Sequence, residues 1–402
     1  MAAKGNLVVG QSGGPTAVIN NSLVGVVHEA LQHAAIDGIY GMLHGIAGVL
    51  NEEFTDLRQE PASVLEGLRN TPASGLGTVR YKVTDRDYPR LVEVFKKYDV
   101  RYFFYIGGND SMDTSHKIHL AAEAMGYEMF AVGVPKTVDN DLAETDHCPG
   151  FGSAARFVAA SVRNTGYDTK AMGDSGPLKL IEIMGRNAGW LTAATSLAKE
   201  SPEDPPHLIY MPERGVSLAQ IVADVRRCYE QYGYCVAAVS EGLRDEHGKE
   251  LTSNAGPVEV DAFGHARKGP VVDTIAAAIK EAIGITVRID KPSYLQRSFG
   301  ELMSSVDREE AYQVGRAAVR AAMNGVSNQM VTLVRQPGAD YQVATGLADL
   351  NKVANHERML PADHINAEGN GVTAAFEAYA RPLIGGPLTP YARLSLKPMP
   401  RR

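Results

Sequence analysis

Phe130-Ala131-Val132-Gly133-Val134-Pro135-Lys136-Thr137-Val138-Asp139-Asn140-Asp141 is the stretch on which the fold turns. Its first five residues are apolar and mostly β-formers, the pattern of a strand buried on both faces. Pro135 cannot donate to a sheet ladder and ends it. A cation, a hydroxyl and two carboxylates follow. In extended backbone Asp139 and Asp141, two apart, point the same way. Two carboxylates beside a lysine at a strand's exit suit metal-assisted phosphate chemistry. One carboxylate takes a proton, the metal sits nearby, and the ammonium neutralises phosphate charge. The plain alternative is a polar turn whose aspartate caps the next helix.

The same layout recurs along the chain. Leu7-Val8-Val9 predicts a strand that runs through Gly10 to Thr16, with Gly13 and Gly14 in the loop, into a helix over 17–34. Strand, glycine loop and helix aim backbone N–H groups at an anion. Neither a Walker loop nor GxGxxG is present. Ile39–Leu43 predicts a strand, residues 61–70 a helix, and 74–80 a second glycine loop ending in Arg80. After a helix over 88–98, Arg101–Ile106 predicts a strand exiting into Gly107-Gly108-Asn109-Asp110, with a helix over 115–125. Further strands are expected at 178–184, 207–211, 235–239, 286–289 and 330–335, with helices near 190, over 218–232, 271–283 and 307–324. Residues 244–269 are polar and glycine-rich, so a long loop is expected there, and the tail from 346 should pack along the surface or an interface. Six strand ends carry glycines or polar clusters: Gly13/Gly14, Gly108/Asp110, Lys136/Asp139, Gly185/Arg186, Pro212/Glu213 and Ser240/Glu241. In a parallel sheet those ends face one side, where open α/β sheets bind their ligands.

Composition narrows the class. The chain has 402 residues, 44% hydrophobic and 22% charged, as in ordinary globular proteins of two or three units. A net charge of −7 argues against nucleic acid as a partner, so an anionic substrate would need local arginines and lysines. Cys148, Cys228 and Cys235 are too few and irregular for a disulfide framework or a cysteine zinc site. His116 and His119, the nearest histidine pair, are expected on a helix surface. No signal peptide or membrane span is evident, so a cytoplasmic setting is expected.

In combination, SGGPTAVIN (12–20), GGNDS (107–111), PKTVDND (135–141), MGRNAGW (184–190), SEG (240–242) and YLQRS (294–298) resemble the phosphofructokinases, specifically their pyrophosphate-dependent branch. The resemblance spans roughly residues 5–340. It implies an α/β fold of two Rossmann-like lobes with mostly parallel sheets. Residues 1–152, completed by about 295–345, would hold the phosphoryl donor. Residues 153–294 would hold the sugar phosphate. It implies Asp139 as proton acceptor for the 1-hydroxyl, with Lys136, Asp110 and Arg186 completing the catalytic set. Thr137, Val138, Met184, Gly185, Arg186, Glu241, Arg288, Tyr294 and Arg297 would line the fructose 6-phosphate site. Gly13, Gly14, Arg80, Asn109 and Lys136 would hold pyrophosphate, and Asp110, Asn109 and Asp141 would hold Mg²⁺. Relatives complete their sugar sites across subunit contacts, which implies a homodimer or homotetramer.

Two positions select the donor. ATP-using relatives resemble a glycine at both Asp110 and Lys136. Here a carboxylate and an ammonium stand where a nucleoside would pass, and the ammonium suits a bare pyrophosphate. Asn109 departs from the two-acid GGDDS of many relatives. The sugar-phosphate arginine of the ATP branch aligns with Pro177, leaving Lys179 or another arginine to substitute. The rivals are an ATP-dependent phosphofructokinase on the same scaffold and a non-catalytic phosphosugar-binding protein.

Overall fold

The computed structural model describes residues 3–79, 81–252, 259–260, 266–267, 270–338, 340–395, 397 and 399. In chain order its strands are β1 (Gly5–Gln11), β2 (Ile36–Met42), β3 (Phe54–Asp56), β4 (Val100–Gly107), β5 (Phe130–Pro135), β6 (Leu178–Ile183), β7 (Leu208–Tyr210), β8 (Cys235–Ser240), β9 (Glu259–Val260), β10 (Ala266–Arg267), β11 (Arg288–Asp290), β12 (Gln329–Arg335) and β13 (Val343–Asp349). Seven form one sheet in the order β13-β12-β5-β4-β1-β2-β3, and four form a second in the order β11-β6-β8-β7. The second is parallel throughout; in the first, only the edge strands β3 and β13 run antiparallel to their neighbours. This is the expected two-lobed α/β architecture with mostly parallel sheets.

Apolar runs explain the centres of both sheets. Val8, Val9, Phe103, Phe104, Ala131 and Val132 are fully shielded from water, as strands covered by helices on both faces must be. The chain crosses to the second lobe through the Phe151–Met172 helix and returns to the first through the Ser305–Met323 helix. That returning helix packs directly on the Ile19–Ala30 helix. A Cβ on Gly25 would meet the Tyr312 carbonyl oxygen at 2.2 Å, and one on Gly315 would meet that of Ser22 at 2.1 Å. The two backbones therefore touch only because both positions are glycine.

Three differences from the sequence reading matter. The helix after β4 begins at Asn109, six residues earlier than expected, and has no side-chain cap. A Cβ on Gly107 would meet Ser111 Oγ at 2.0 Å, so the glycine lets the helix start directly against the strand end, with Asn109 and Asp110 in its first turn. The tail from 346 begins inside β13 and then delivers Phe376, Leu383 and Ile384 to the second lobe's core, deeper than a surface wrap. Within the expected 244–269 loop, β9 and β10 pair antiparallel; most of the rest of that loop's glycine-rich part lies outside the described residues.

Candidate active site

Five strand ends, those of β1, β4, β5, β6 and β8, meet in the cleft between the lobes. β5 delivers Lys136, whose Nζ donates to the Gly14 carbonyl at 2.9 Å after β1. A Cβ on Gly13, which has φ +70°, would sit 3.3 Å from the same Nζ. Lys136 is buried, and burial pulls its pKa down to about 8; Arg297 adds to that, while Asp139 and Asp141 oppose it. Arg297 approaches the same loop from the other lobe's return segment. A Cβ on Gly14 would meet its Nη1 at 2.5 Å, so the glycine is what admits the guanidinium. Two cations therefore flank the first glycine loop. The second glycine loop docks beside it through Thr78 Oγ1, which donates to Gly13 O at 2.9 Å. Arg80 lies outside the described residues.

The turn after Lys136 is held in an unusual shape. Asp139 N–H donates to Thr137 Oγ1 at 3.1 Å, and Asn140 adopts φ +57°. Asparagine tolerates that region better than most residues. Asp139 is raised to about 7, first by burial and then by Asp141 and Glu241, with Lys136 and Arg186 pulling the other way. A carboxylate poised there is a competent general base near neutral pH. Asp141 is also raised by burial, and Thr137's hydroxyl moderates it. Val138 departs from the substrate-lining expectation, since its side chain is buried in the second lobe's core.

Asp141 faces Asn109, which follows the neighbouring strand β4 in the same lobe. The Asn109 amide nitrogen is best satisfied by the carbonyls of Val353 and His356, each at 3.1 Å. That orientation turns its oxygen toward Asp141 Oδ2 at 3.4 Å. Two oxygens then face each other, a place for a hard cation with oxygen ligands. Asp110 stands exposed beside them in the first turn of the 109–124 helix.

The second lobe supplies the opposite wall. Met184 N–H donates to Gln296 Oε1 at 3.0 Å, and Gly185 N–H to Glu241 Oε1 at 3.4 Å. Arg186 Nε stands 3.9 Å from the same carboxylate oxygen, with most of its side chain exposed to the cleft. Glu241 is raised by burial despite Arg186. Tyr294 is exposed, and the Arg297 guanidinium lies over its ring at 4.4 Å.

Arg288 is not brought to this cluster within one chain. It pairs in register with Lys179 on β6, four residues before the strand's end at Ile183, or roughly 13 Å at strand rise. Its Nη2 lies 2.7 Å from Asp168. Lys179 is buried with its Nζ 2.9 Å from Asp290, so it is already occupied and does not replace the missing arginine. Sequence reasoning also missed Gln296, and it placed Glu213 at a strand end without its contacts. Glu213 Oε1 accepts from the N–H groups of both Gly189 and Leu360, at 2.8 and 2.9 Å. The one available signal was position: Gln296 lies inside YLQRS and Glu213 follows a strand end.

Two side groups proved different from expectation. His116 and His119 are half-buried, bonded to Asn328 and Ser327, rather than free on a helix surface. Cys228, Cys235 and His207 come together with ligand atoms within 4.8 Å of one another, a grouping their spacing did not suggest. His207 Nδ1 accepts from Val236 N–H at 3.1 Å, which leaves the neutral ring's proton on Nε2. A ring in that state donates through Nε2 and does not ligate a metal there.

The phosphofructokinase family model matches residues 6–322. The chain belongs to the phosphofructokinase family. A pyrophosphate--fructose 6-phosphate 1-phosphotransferase from Xanthomonas campestris pv. campestris is 43% identical over 388 residues, covering 95% of this chain and 92% of that protein. The crystal structure of a pyrophosphate-dependent phosphofructokinase from Marinobacter aquaeolei has a TM-score of 0.87 at 39% identity, covering 97% of this chain and 94% of that one. A sulfofructose kinase from Alkalicoccus urumqiensis is 34% identical over 360 residues, covering 89% and 91%. Relatives on this scaffold thus carry names with different sugar acceptors.

Proposed function

We propose that this phosphofructokinase transfers a phosphoryl group from pyrophosphate to the 1-hydroxyl of D-fructose 6-phosphate, reversibly, giving fructose 1,6-bisphosphate and phosphate in glycolysis or gluconeogenesis. The observation that carries the reading is the buried Lys136 ammonium, set 2.9 Å from the Gly14 carbonyl where the glycine loops converge. It occupies the room a nucleoside needs and offers charge to an inorganic diphosphate. Arg297 stands on the other side of the same loop. Charges so placed, in a site shielded from water, stabilise a transferring phosphoryl group without reorganising.

Asp139 accepts the proton of the sugar hydroxyl as the oxygen attacks phosphorus. Arg186 and Glu241 hold the sugar phosphate from the second lobe, with the Met184–Gly185 backbone and Thr137 completing its outline. Arg288, away from the Asp139 cluster, and Tyr294, at its rim under Arg297, both reach solvent and serve the sugar phosphate of a neighbouring subunit in a homodimer or homotetramer. Asn109 and Asp141, with Asp110 beside them, fit Mg²⁺. When bound it would neutralise pyrophosphate charge and polarise the transferring group. The three cysteines are free and buried, in keeping with a cytoplasmic setting.

A coupled assay with pyrophosphate, ATP and ADP at matched Mg²⁺ tests the reading. Turnover is expected with pyrophosphate and to be at least about 10²-fold slower with ATP. Equal or faster turnover with ATP would overturn it.

A further inference from the structure

We infer that Arg358, a residue of the C-terminal tail, is a positioning residue for the Asp139–Asp141 turn. This rests on the proposed role of Asp139 as proton acceptor. The turn from 139 to 146 makes few hydrogen bonds of its own, and it contains Asn140 at φ +57°. Its backbone is captured from outside. Arg358 Nη2 and Nε both donate to the Asn140 carbonyl, at 2.8 and 3.3 Å. Nη1 donates to the carbonyls of Thr145, at 2.8 Å, and Asp146. The Arg358 backbone N–H donates to Asp141 O at 2.7 Å. One residue thus takes up four carbonyls of the segment that carries both carboxylates.

Arg358 is itself fixed by the second lobe. Its guanidinium lies 4.4 Å from the centre of the Trp190 ring, and Trp190 Nε1 donates to the Arg358 carbonyl at 2.9 Å. Trp190 ends the MGRNAGW segment that also carries Met184, Gly185 and Arg186. Tyr379 completes the clamp: its hydroxyl accepts from Asn140 Nδ2 at 2.9 Å and donates to Asp146 O at 2.8 Å. A guanidinium spreads five donors over a rigid planar fork, so it reaches carbonyls that lie apart, which a compact three-donor ammonium cannot span. The tail therefore sets the distance between the proton acceptor and the sugar-holding wall, and displacement of reacting groups by about 1 Å costs on the order of 10²-fold in rate.

The test is steady-state kinetics on Arg358→Ala, Arg358→Lys and Tyr379→Phe, with Asp139→Asn as reference. Arg358→Ala is expected to lower kcat about 10²-fold while the KM for fructose 6-phosphate stays within about threefold, with part of kcat restored by millimolar guanidinium. Arg358→Lys should recover little, and Tyr379→Phe should cost about fivefold in kcat. An unchanged kcat in Arg358→Ala overturns the inference, as does a kcat loss that guanidinium leaves untouched. Should Arg358→Ala not fold, an unchanged kcat in Tyr379→Phe overturns it. Full turnover by Asp139→Asn would instead remove the proton-acceptor role on which the inference stands.

Discussion

Two strands of this molecule each carry a lysine, and the two lysines have opposite fates. Lys136 follows β5 at its C-terminal end, with its Nζ on a backbone carbonyl and its carboxylates, Asp139 and Asp141, farther along the same turn. Lys179 lies near the beginning of β6 with its Nζ directly on Asp290, and its register partner Arg288 is held by Asp168. Both lysines are buried. The first has charge left to offer a ligand, and the second is neutralised by the protein itself. A cation's role is set by which end of a parallel strand carries it and by whether a carboxylate already touches it.

The first way to break that contrast is at the Lys136 turn. Asp139→Ser should lower kcat by about 10³-fold or more while affinity for fructose 6-phosphate stays within a few-fold, as measured by coupled assay and calorimetry. A protein that only binds phosphosugars would show no turnover to lose. At the β6–β11 edge a different signature is expected. Arg288→Ala should raise the KM for fructose 6-phosphate about tenfold with kcat nearly unchanged, as the proposed binding role across subunits requires. Loss of kcat with an unchanged KM would move Arg288 to the reacting end and erase the distinction.

A smaller effect sharpens it from a third place. His147 is buried between Asp146 at 2.8 Å and Glu310 at 2.7 Å, with Tyr341's hydroxyl also on Glu310. Burial alone would lower its pKa, but the two carboxylates raise it above the ordinary histidine value. A raised value means that the folded state holds the proton more tightly than the unfolded one. The resulting stability is fully present below the unfolded value near 6.5 and is lost as pH rises through the folded one. His147→Gln should therefore be destabilising mainly at low pH, with its urea-midpoint deficit shrinking as pH rises. A deficit that grew with pH would show the ion pairs to be dispensable.

Much of the fold was legible because apolar runs with abrupt glycine endings announce parallel strands. The helices over 218–232 and 271–283 matched residue for residue, since their amphipathic patterns are long and bounded by Ser217 and Gly233, and by Pro270 and Gly284. The start of the 109–124 helix was not legible. Asn109-Asp110-Ser111 is polar enough to pass for loop, and the close approach of Ser111 to Gly107 is a contact no local pattern announces. Lys136, Asp139 and Asp141 could be found from their spacing alone. The contacts of Gln296, Glu213 and Arg358 could not, because each acts on a backbone group 24 to 218 residues away. No local pattern marks an arginine whose partners are carbonyl oxygens of a distant turn. Val138 misled in the opposite sense: it sits between two functional residues, yet alternation sends it to the core.

The donor claim is tested most directly by initial rates of the double variant Asp110→Gly/Lys136→Gly with pyrophosphate and with ATP. The account predicts that pyrophosphate turnover falls by at least about 10²-fold, the loss seen when preorganised charge is removed, while ATP turnover rises from its baseline. Pyrophosphate turnover that survives intact in this variant would contradict it.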